Sequence, residues 1–157
     1  MTKIGIGYDV HRLEKNKPFF IGGIKIESEF GSVGHSDGDA LIHAIVDAVL
    51  GAAGLGDIGI YFPSDEVSWK GVESSIFLKE AVNKIEKVGY KICNVDTTIV
   101  LENPKLNNYF DVIKNKLASV MKIDKSNVNI KATTTDGLGH IGKGNGWSAL
   151  AVVTLKK

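Results

Sequence analysis

Three side chains in the N-terminal part of the chain have the types and spacing of a metal-ligand set. Asp9 and His11 lie two residues apart, and His43 follows further along the chain. Lys3–Val10 alternates apolar residues with glycine and aspartate, which is typical of a strand, so Asp9 and His11 are predicted to point to the same side. Two imidazoles and one carboxylate with a fourth position open form the ligand set of catalytic zinc sites. The pattern leaves open an alternative, namely a solvated Asp-x-His pair and an unrelated core histidine.

His43 lies in a predicted helix that begins at Ala40 and ends in the glycine-rich segment 51–56. This helix is apolar on almost every face and is therefore predicted to be buried. Asp39, His43 and Asp47 follow one another at four-residue steps and form a single polar stripe on it. Because buried polar groups need partners, Asp39 or Asp47 is expected to accept the hydrogen bond that fixes the tautomer of a metal-binding His43. The alternative is a core histidine held by the two aspartates.

A second group of residues with possible chemistry lies near the C-terminus. The hydroxyls and the carboxylate of Thr133–Asp136, at the end of a predicted strand, could hold phosphate oxygens and a hard cation, although strand residues before a polar turn would look the same. Gly137–Gly142 spells the dinucleotide-binding fingerprint, but Lys143–Gly146 leads into a strand rather than a helix, so we reject that interpretation. The glycines would still permit a phosphate or another subunit to approach the backbone closely. Glu102–Leu106 is predicted to be the turn before a helix.

The elements that must position these residues follow from periodicity and turn signals. Their predicted order is a strand at Lys3–Val10, a hairpin at Phe19–Ile26, a loop at Phe30–His35, the buried helix, a loop at Gly56–Glu66, a helix at Ser74–Val88, a strand at Tyr90–Leu101, a helix reaching Met121 and capped by Asn107 or Asn108, and strands at Val128–Thr134 and Trp147–Leu155. Ser36 and Asp39 have the spacing of a capping box for the buried helix. The order predicts an α+β fold, a two-layer sandwich with helices on one face of one mixed β-sheet. Residues 1–157 are predicted to form a single domain.

The amino-acid composition limits the classes of protein to which this chain can belong. The 157 residues carry 19 Lys and Arg against 18 Asp and Glu, and a net charge of +1 does not indicate a nucleic-acid or anionic-membrane partner. The single cysteine, Cys93, excludes an internal disulfide and is typical of a reducing compartment. No apolar run is long enough to span a bilayer, and we find no targeting segment. These observations predict a cytoplasmic protein.

Taken together, the motifs resemble the 2-C-methyl-D-erythritol 2,4-cyclodiphosphate synthase family of the non-mevalonate isoprenoid pathway. The longest of them is the run Ser36–Ala52, and the resemblance covers the chain from end to end. The other matching segments, in order, are Gly7–Arg12, Gly56–Gly59, Phe62–Pro63, Lys70–Gly71, Asn94–Asp96, Pro104–Lys105 and Lys131–Thr135.

The resemblance implies an activity and an assembly. The family converts 4-diphosphocytidyl-2-C-methyl-D-erythritol 2-phosphate into the 2,4-cyclodiphosphate and releases CMP, in homotrimers with active sites between subunits. It implies zinc bound by Asp9, His11 and His43, and a second divalent cation, Mg²⁺ or Mn²⁺, at Asp136. It also implies that His35 and Thr134 are catalytic.

The resemblance further implies a set of substrate-binding residues, in which Asp57 and Gly59 hold ribose, Phe62–Glu66 close over the methylerythritol part, and Leu101–Asn107 hold the cytidine part. The full set is Asp9, Val10, His11, His35, Ser36, Asp57, Ile58, Gly59, Phe62, Pro63, Ser64, Asp65, Glu66, Leu101, Pro104, Lys105, Leu106, Asn107, Thr133, Thr134, Thr135, Asp136, His140 and Lys143.

The chain departs from the commoner family pattern at a few positions. Asp136 stands where Glu is frequent, and Lys143 and Asn145 stand near the expected trimer axis where Arg and Glu are common. Two other classes of function remain open at this point. A zinc-dependent phosphohydrolase would use the metal to activate water, and a non-catalytic trimeric binding protein would use His43 structurally.

Overall fold

The structure, a computed structural model, describes all of residues 1–157. Its strands are β1 (Thr2–Lys15), β2 (Phe20–Ile21), β3 (Ile24–Lys25), β4 (Phe30–Val33), β5 (Lys91–Val100), β6 (Val128–Thr133) and β7 (Gly146–Lys156). Its α-helices are α1 (Ala40–Ala53), α2 (Ile58–Tyr61), α3 (Ser74–Lys87), α4 (Phe110–Met121) and α5 (Gly139–Gly142), and three short 3₁₀ turns cover Val67–Trp69, Asn107–Tyr109 and Lys125–Asn127.

Five of the strands form one mixed sheet in the order β4-β1-β7-β5-β6, and β2 and β3 form a separate hairpin. β5 and β6 are parallel, whereas the other neighbours in the sheet are antiparallel. The parallel pair is connected through α4, as parallel strands require a crossover. The mixed sheet confirms the predicted fold class.

Helix α1 packs directly on strand β1 because β1 has glycines on the face beneath it. A Cβ atom at Gly5 would lie 1.9 Å from the carbonyl oxygen of Ala48, and one at Gly7 would lie 1.9 Å from that of Ala44. No larger residue fits at either position, and the close approach brings His43 of α1 to the strand that carries Asp9 and His11.

The other face of the sheet is apolar and exposed. Ile4 and Ile6 of β1 are each 70% exposed, and Tyr8 and Val10 continue the same row. Leu150 and Val152 of β7 extend the patch onto the next strand. A row of large apolar side chains open to solvent is typical of a surface that another protein covers.

Several local predictions were wrong. Phe30–Val33 is a strand, because β1 continues to Lys15 and gives it a partner. The predicted loop at Gly56–Glu66 contains the short helix α2.

The predicted helix caps also need correction. The capping residue of α1 is Asp39, which accepts a hydrogen bond from the Ile42 N–H, and Ser36 has no part in it. Neither Asn107 nor Asn108 caps α4, since both lie in the preceding 3₁₀ turn. None of the helices combines the length and the apolar character needed to cross a bilayer.

Candidate functional site

Asp9, His11 and His43 bring three ligand atoms together at the junction of β1 and α1. Asp9 Oδ2 lies 2.8 Å from His11 Nε2 and 2.9 Å from His43 Nδ1, and the two ring nitrogens are 3.2 Å apart. All three side chains are partly buried. The three residues that the family resemblance implies as metal ligands therefore lie together in the structure.

This ligand set fits a zinc-type cation. His11 Nδ1 lies 3.0 Å from the carbonyl oxygen of Val33, which can only accept, so we assign the proton to Nδ1 and the lone pair to Nε2. Ligand bonds of 2.0–2.2 Å in a tetrahedron place neighbouring ligand atoms about 3.4 Å apart, so the group needs to widen only slightly. Nitrogen and carboxylate ligands in this number are those of catalytic zinc, and they leave one position open.

The electrostatics of the group also favour a positive charge at its centre. Burial disfavours the charged form of Asp9, but hydrogen bonds and charge from His11 and His43 outweigh it and hold the pKa of Asp9 well below its usual range. Burial likewise opposes protonation of His11, yet Asp9 raises the pKa of that imidazole. The same negative charge that attracts a proton attracts a metal cation.

The other two aspartates of the predicted stripe have different tasks. Asp39 is buried and accepts hydrogen bonds from the N–H groups of Gly22 (3.0 Å), Gly23 (2.7 Å) and Ile42 (3.1 Å). Burial raises the pKa of Asp39 to about 6, with a further contribution from a neighbouring carboxylate. Asp47 accepts from the Ile58 N–H at 2.8 Å. The hypothesis that either one fixes the tautomer of His43 is wrong, because both are committed to backbone donors.

The metal group opens into a cavity of about 280 Å³. His35 and Ser36 line it, and His35 Nε2 lies 2.9 Å from the carbonyl oxygen of Glu66. The predicted site residues that line this cavity are Asp9, His11, His35, Ser36, His43, Ile58, Gly59, Phe62 and Ser64. Asp57, Pro63, Asp65 and Glu66 lie in the adjoining segments, where Asp57 caps α2 by accepting from the Ile60 N–H at 3.2 Å.

Two aromatic residues of the same cavity, Trp69 and Phe77, escaped the sequence reasoning. Their ring centroids lie 5.2 Å and 4.5 Å, respectively, from that of Phe62. In the sequence, Phe77 lies within the predicted helix Ser74–Val88, and Trp69 lies between the predicted loop Gly56–Glu66 and that helix. Their aromatic type was the one available signal.

A second, smaller cavity of about 170 Å³ gathers the predicted cytidine-binding residues and the threonines. Leu101, Pro104, Lys105, Leu106, Asn107, Ala132, Thr133 and Thr134 line it. The Leu101 N–H donates to the carbonyl oxygen of Thr133 at 3.0 Å. Glu102 Oε1 accepts from Thr135 N–H at 2.7 Å and lies 3.0 Å from its hydroxyl. The sequence predicts a turn at Glu102–Leu106 and does not indicate this contact.

The two cavities are separate within one chain. Val10 is paired with Ser148, Ser148 with Val100, and Val100 with Thr133. The metal ligands on β1 and the threonines at the end of β6 are therefore three strand spacings apart, which is about 14 Å. The remaining predicted residues are dispersed further, since His140 lines a groove beside His11 and Arg12, and Lys143 lines another beside Glu102. Asp136 follows the threonines as an exposed turn residue.

The fold and the site thus define an α+β protein with a two-histidine, one-carboxylate metal centre that opens into a cavity. Residues 2–156 match the model of the YgbB family. The 2-C-methyl-D-erythritol 2,4-cyclodiphosphate synthase of Clostridium acetobutylicum is 48% identical over 98% of this chain and 99% of its own length. The chain therefore belongs to the YgbB family, that of the 2-C-methyl-D-erythritol 2,4-cyclodiphosphate synthases, as the sequence motifs had indicated.

Other relatives are longer, and solved structures share the fold. The "Bifunctional enzyme IspD/IspF" of Sulfurimonas denitrificans is 48% identical over 99% of this chain, and the chain spans only 40% of that enzyme's length. The bifunctional IspDF structure from Campylobacter jejuni superposes with a TM-score of 0.96 at 38% identity, covering 99% of this chain and 42% of the other. A cyclodiphosphate synthase structure in its CDP-bound form has a TM-score of 0.91 at 37% identity, with 98% and 100% covered.

Proposed function

We propose that this chain converts 4-diphosphocytidyl-2-C-methyl-D-erythritol 2-phosphate into 2-C-methyl-D-erythritol 2,4-cyclodiphosphate and CMP. The observation that carries the proposal is the meeting of Asp9, His11 and His43 within 3.2 Å at a cavity in a chain of this family. The activity is that of a phosphorus–oxygen lyase in the synthesis of isoprenoid precursors. We place it in the cytoplasm, since a chain with one cysteine suits a reducing compartment.

The reaction requires that the substrate's two phosphate groups be positioned, and it does not require a general base. The nucleophile is an oxygen of the substrate's own 2-phosphate, which is ionised at neutral pH. It attacks the β-phosphorus, a new P–O bond closes the ring, and the bond from the β-phosphorus to the bridging oxygen of the α-phosphate breaks. CMP leaves with that oxygen and its electron pair. The catalytic contribution is to fold the substrate and to neutralise charge.

The residues around the cavity beside Asp9, His11 and His43 have side chains suited to binding the reacting phosphates. When bound, a divalent cation at Asp9, His11 and His43 supplies positive charge beside the phosphate oxygens. His35 donates its Nε2–H to the carbonyl oxygen of Glu66, 2.9 Å away, which would hold the ring beside the reacting phosphate, and Ser36 would donate a hydrogen bond to developing negative charge. Phe62, Trp69 and Phe77 give part of the cavity wall an apolar surface.

The second cavity suits the cytidine part. Lys105 lies with the threonines at its rim and would contact the phosphates of the leaving group. We place the second cation, Mg²⁺ or Mn²⁺, at Asp136, whose carboxylate follows three hydroxyls in an oxygen-rich turn. Thr134 would donate to the charge that develops on the phosphate.

We further propose that the two cavities combine between neighbouring chains of a homotrimer. About 14 Å separates the two groups within one chain, too far for one phosphate group to contact both. The exposed apolar face formed by β1 and β7 offers a surface that subunits could cover. Solution mass should correspond to about three chains.

The shared site can be tested by mixing two inactive variants, His43→Ala and Lys105→Ala. Random assembly of equal amounts puts both kinds of chain in most trimers, and each such trimer has one interface with both groups intact. Activity should return to about a quarter of the wild-type value. If each site lies within one chain, the mixture stays as inactive as its components.

The reaction itself is tested with purified protein, zinc analysis and ³¹P NMR of the products in ¹⁸O-labelled water. We expect about one zinc per chain, CMP, and a cyclic diphosphate without solvent oxygen. A linear product that carries ¹⁸O would instead show a phosphohydrolase. Absence of both zinc and turnover would support a non-catalytic binding protein.

A further inference from the structure

The nitrogen of His43 that faces away from the metal group contacts two serines. Ser74 Oγ lies 2.8 Å from His43 Nε2, and Ser36 Oγ lies 3.1 Å from it. Ser74 is the first residue of α3 and is fully buried. A hydroxyl and an imidazole that are held together away from solvent have defined donor and acceptor roles.

Asp37 determines which role Ser74 takes. One carboxylate oxygen of Asp37 accepts a hydrogen bond from the Ser74 N–H at 2.9 Å, and the other accepts a short hydrogen bond from the Ser74 hydroxyl. The second oxygen also accepts from the Asp39 N–H at 3.2 Å, and the Asp37 N–H donates to the carbonyl oxygen of Val72 at 3.2 Å. Asp37 thus links the segment before α1 to the start of α3.

The tautomer of His43 follows from the position of the Ser74 hydroxyl proton. Both carboxylate oxygens of Asp37 accept hydrogen bonds from backbone N–H groups, and the single hydroxyl proton of Ser74 also points to Asp37. Ser74 Oγ must therefore accept from His43 Nε2–H, which leaves the lone pair on Nδ1. Nδ1 is the atom that lies 2.9 Å from Asp9 Oδ2 in the metal group.

We infer that Asp37 and Ser74 are positioning residues, which hold His43 in the tautomer and orientation that bind the metal through Nδ1. The inference deepens the proposed function, because it rests on the proposed metal site. It replaces the hypothesis that Asp39 or Asp47 has this task. Hydrogen bonds to the outer nitrogen of a ligating histidine fix its ring and raise its basicity, and their loss costs about 10- to 100-fold in metal affinity or activity.

The same contacts could have a purely structural role, since Asp37 also accepts from the first N–H of α3. Asp37→Asn separates the two roles. The amide oxygen can still accept from the Ser74 N–H, but the amide N–H₂ would donate to Ser74 Oγ. Ser74 would then donate to His43 Nε2, and the proton of the imidazole would move to Nδ1, where it blocks the metal. The variant also loses the 3.2 Å bond from Asp39, so stability is measured separately.

The test measures zinc affinity by chelator competition for the full-length wild type, Asp37→Asn, Ser74→Ala and Ser75→Ala. Ser75 is the matched control, since its hydroxyl bonds only to Glu73, at 3.3 Å. Asp37→Asn and Ser74→Ala should bind zinc about 10- to 100-fold more weakly, and Ser75→Ala should bind it as the wild type does. ¹⁵N NMR of the zinc-bound wild type should show His43 bound to the metal through Nδ1, with its proton on Nε2.

The outcomes separate this inference from the proposed function. If the wild type itself binds no zinc, the proposed metal site fails. If the wild type binds zinc and both variants bind it equally well, with only a lower unfolding temperature, Asp37 and Ser74 are structural and the inference is wrong. Should Asp37→Asn not fold, the zinc affinity of Ser74→Ala decides, because Ser74→Ala keeps the N–H bond to Asp37.

Discussion

At the metal centre each ligand is held by the fold, whereas the turn Thr133–Asp136 is largely open to solvent. Asp9 and His11 lie on β1, which pairs with β7 at both residues and with β4 from Arg12 onward, and His43 lies on a buried helix. In the turn, Asp136 has a φ of 51° and contacts only the hydroxyl of Thr134, at 3.3 Å and 3.5 Å. Two neighbouring residues connect the turn to the end of β5, since Glu102 accepts from Thr135 and the Leu101 N–H donates to the carbonyl oxygen of Thr133.

The difference reflects what each region must do. Metal ligation tolerates only small errors in distance, so its ligands belong on elements fixed by packing. A turn at the end of a strand can instead adjust to a ligand that arrives on another surface. We therefore distinguish two half-sites. The fixed half is the metal centre Asp9, His11 and His43, which is complete within the chain. The open half is the turn Thr133–Asp136, which we expect a neighbouring chain to complete.

The largest expected effect is the loss of the fixed half. His43→Ala removes one of three ligands, and we expect it to lose its zinc and to lower turnover by about 10³-fold or more. Elemental analysis and CMP release measure the two effects. His140→Ala, which removes an exposed histidine outside the ligand group, should keep its zinc. A His43→Ala protein that retains stoichiometric zinc would disprove the ligand assignment.

A smaller effect is expected in the open half. Asp136→Asn keeps a side chain that tolerates the left-handed backbone at φ 51° and removes only the charge. Turnover should fall by an amount corresponding to several kcal/mol of transition-state stabilisation, and dependence on Mg²⁺ or Mn²⁺ should weaken while zinc content is unchanged. Initial rates against divalent-ion concentration measure this.

Asp136→Glu is the matched control, since it keeps the charge and restores the residue more frequent in the family. We expect at least partial activity, reduced somewhat because Glu is less tolerant of a positive φ than Asp. Unchanged metal dependence in Asp136→Asn would mean that the second cation is held without this carboxylate.

The sequence predicted the fixed half better than the open one. The period of two placed Asp9 and His11 on one side, and in the structure β1 has glycines where α1 lies close to its backbone. That α1 fills this place is a tertiary fact which no local pattern contains. The partners of His43 were missed for the same reason, because Ser74 lies 31 residues away and nothing in its neighbourhood marks it.

The open half was predicted mostly through the family resemblance. Local patterns gave only threonines before a turn and a turn before a helix, and the bond between Glu102 and Thr135 spans 33 residues. Strand β4 was missed because its four residues form a strand only through pairing with β1. Both errors arise from contacts between distant segments, which periodicity does not report.

The packing that brings α1 to β1 can be tested with two glycines. Gly7→Ala places a Cβ 1.9 Å from a backbone carbonyl, so α1 must move, and we expect a loss of about 3 kcal/mol in the free energy of unfolding together with weaker zinc binding. Gly51→Ala lies within α1 with nothing within 4 Å of its Cβ, and should stabilise by up to about 1 kcal/mol. Denaturant unfolding of the zinc-free proteins measures both. A neutral Gly7→Ala would contradict the close approach of helix and strand.

The smallest expected effect concerns the pH dependence that Asp39 gives to the fixed half. Its pKa is raised from 3.8 to about 6 in the folded chain, so between these values the folded state binds more protons than the unfolded one. The stability contributed by Asp39 is therefore present below about pH 4 and is lost as the pH rises through 6, by an amount on the order of 2 kcal/mol. Asp9, with a lowered pKa, acts in the opposite direction at lower pH, but it does so equally in a variant that retains it.

The test compares how the free energy of unfolding depends on pH in the zinc-free wild type and in Asp39→Asn. The wild type should lose more of its unfolding free energy between pH 4 and 6. Parallel curves would show that the three N–H donors keep Asp39 ionised throughout and that its burial has no cost in this range.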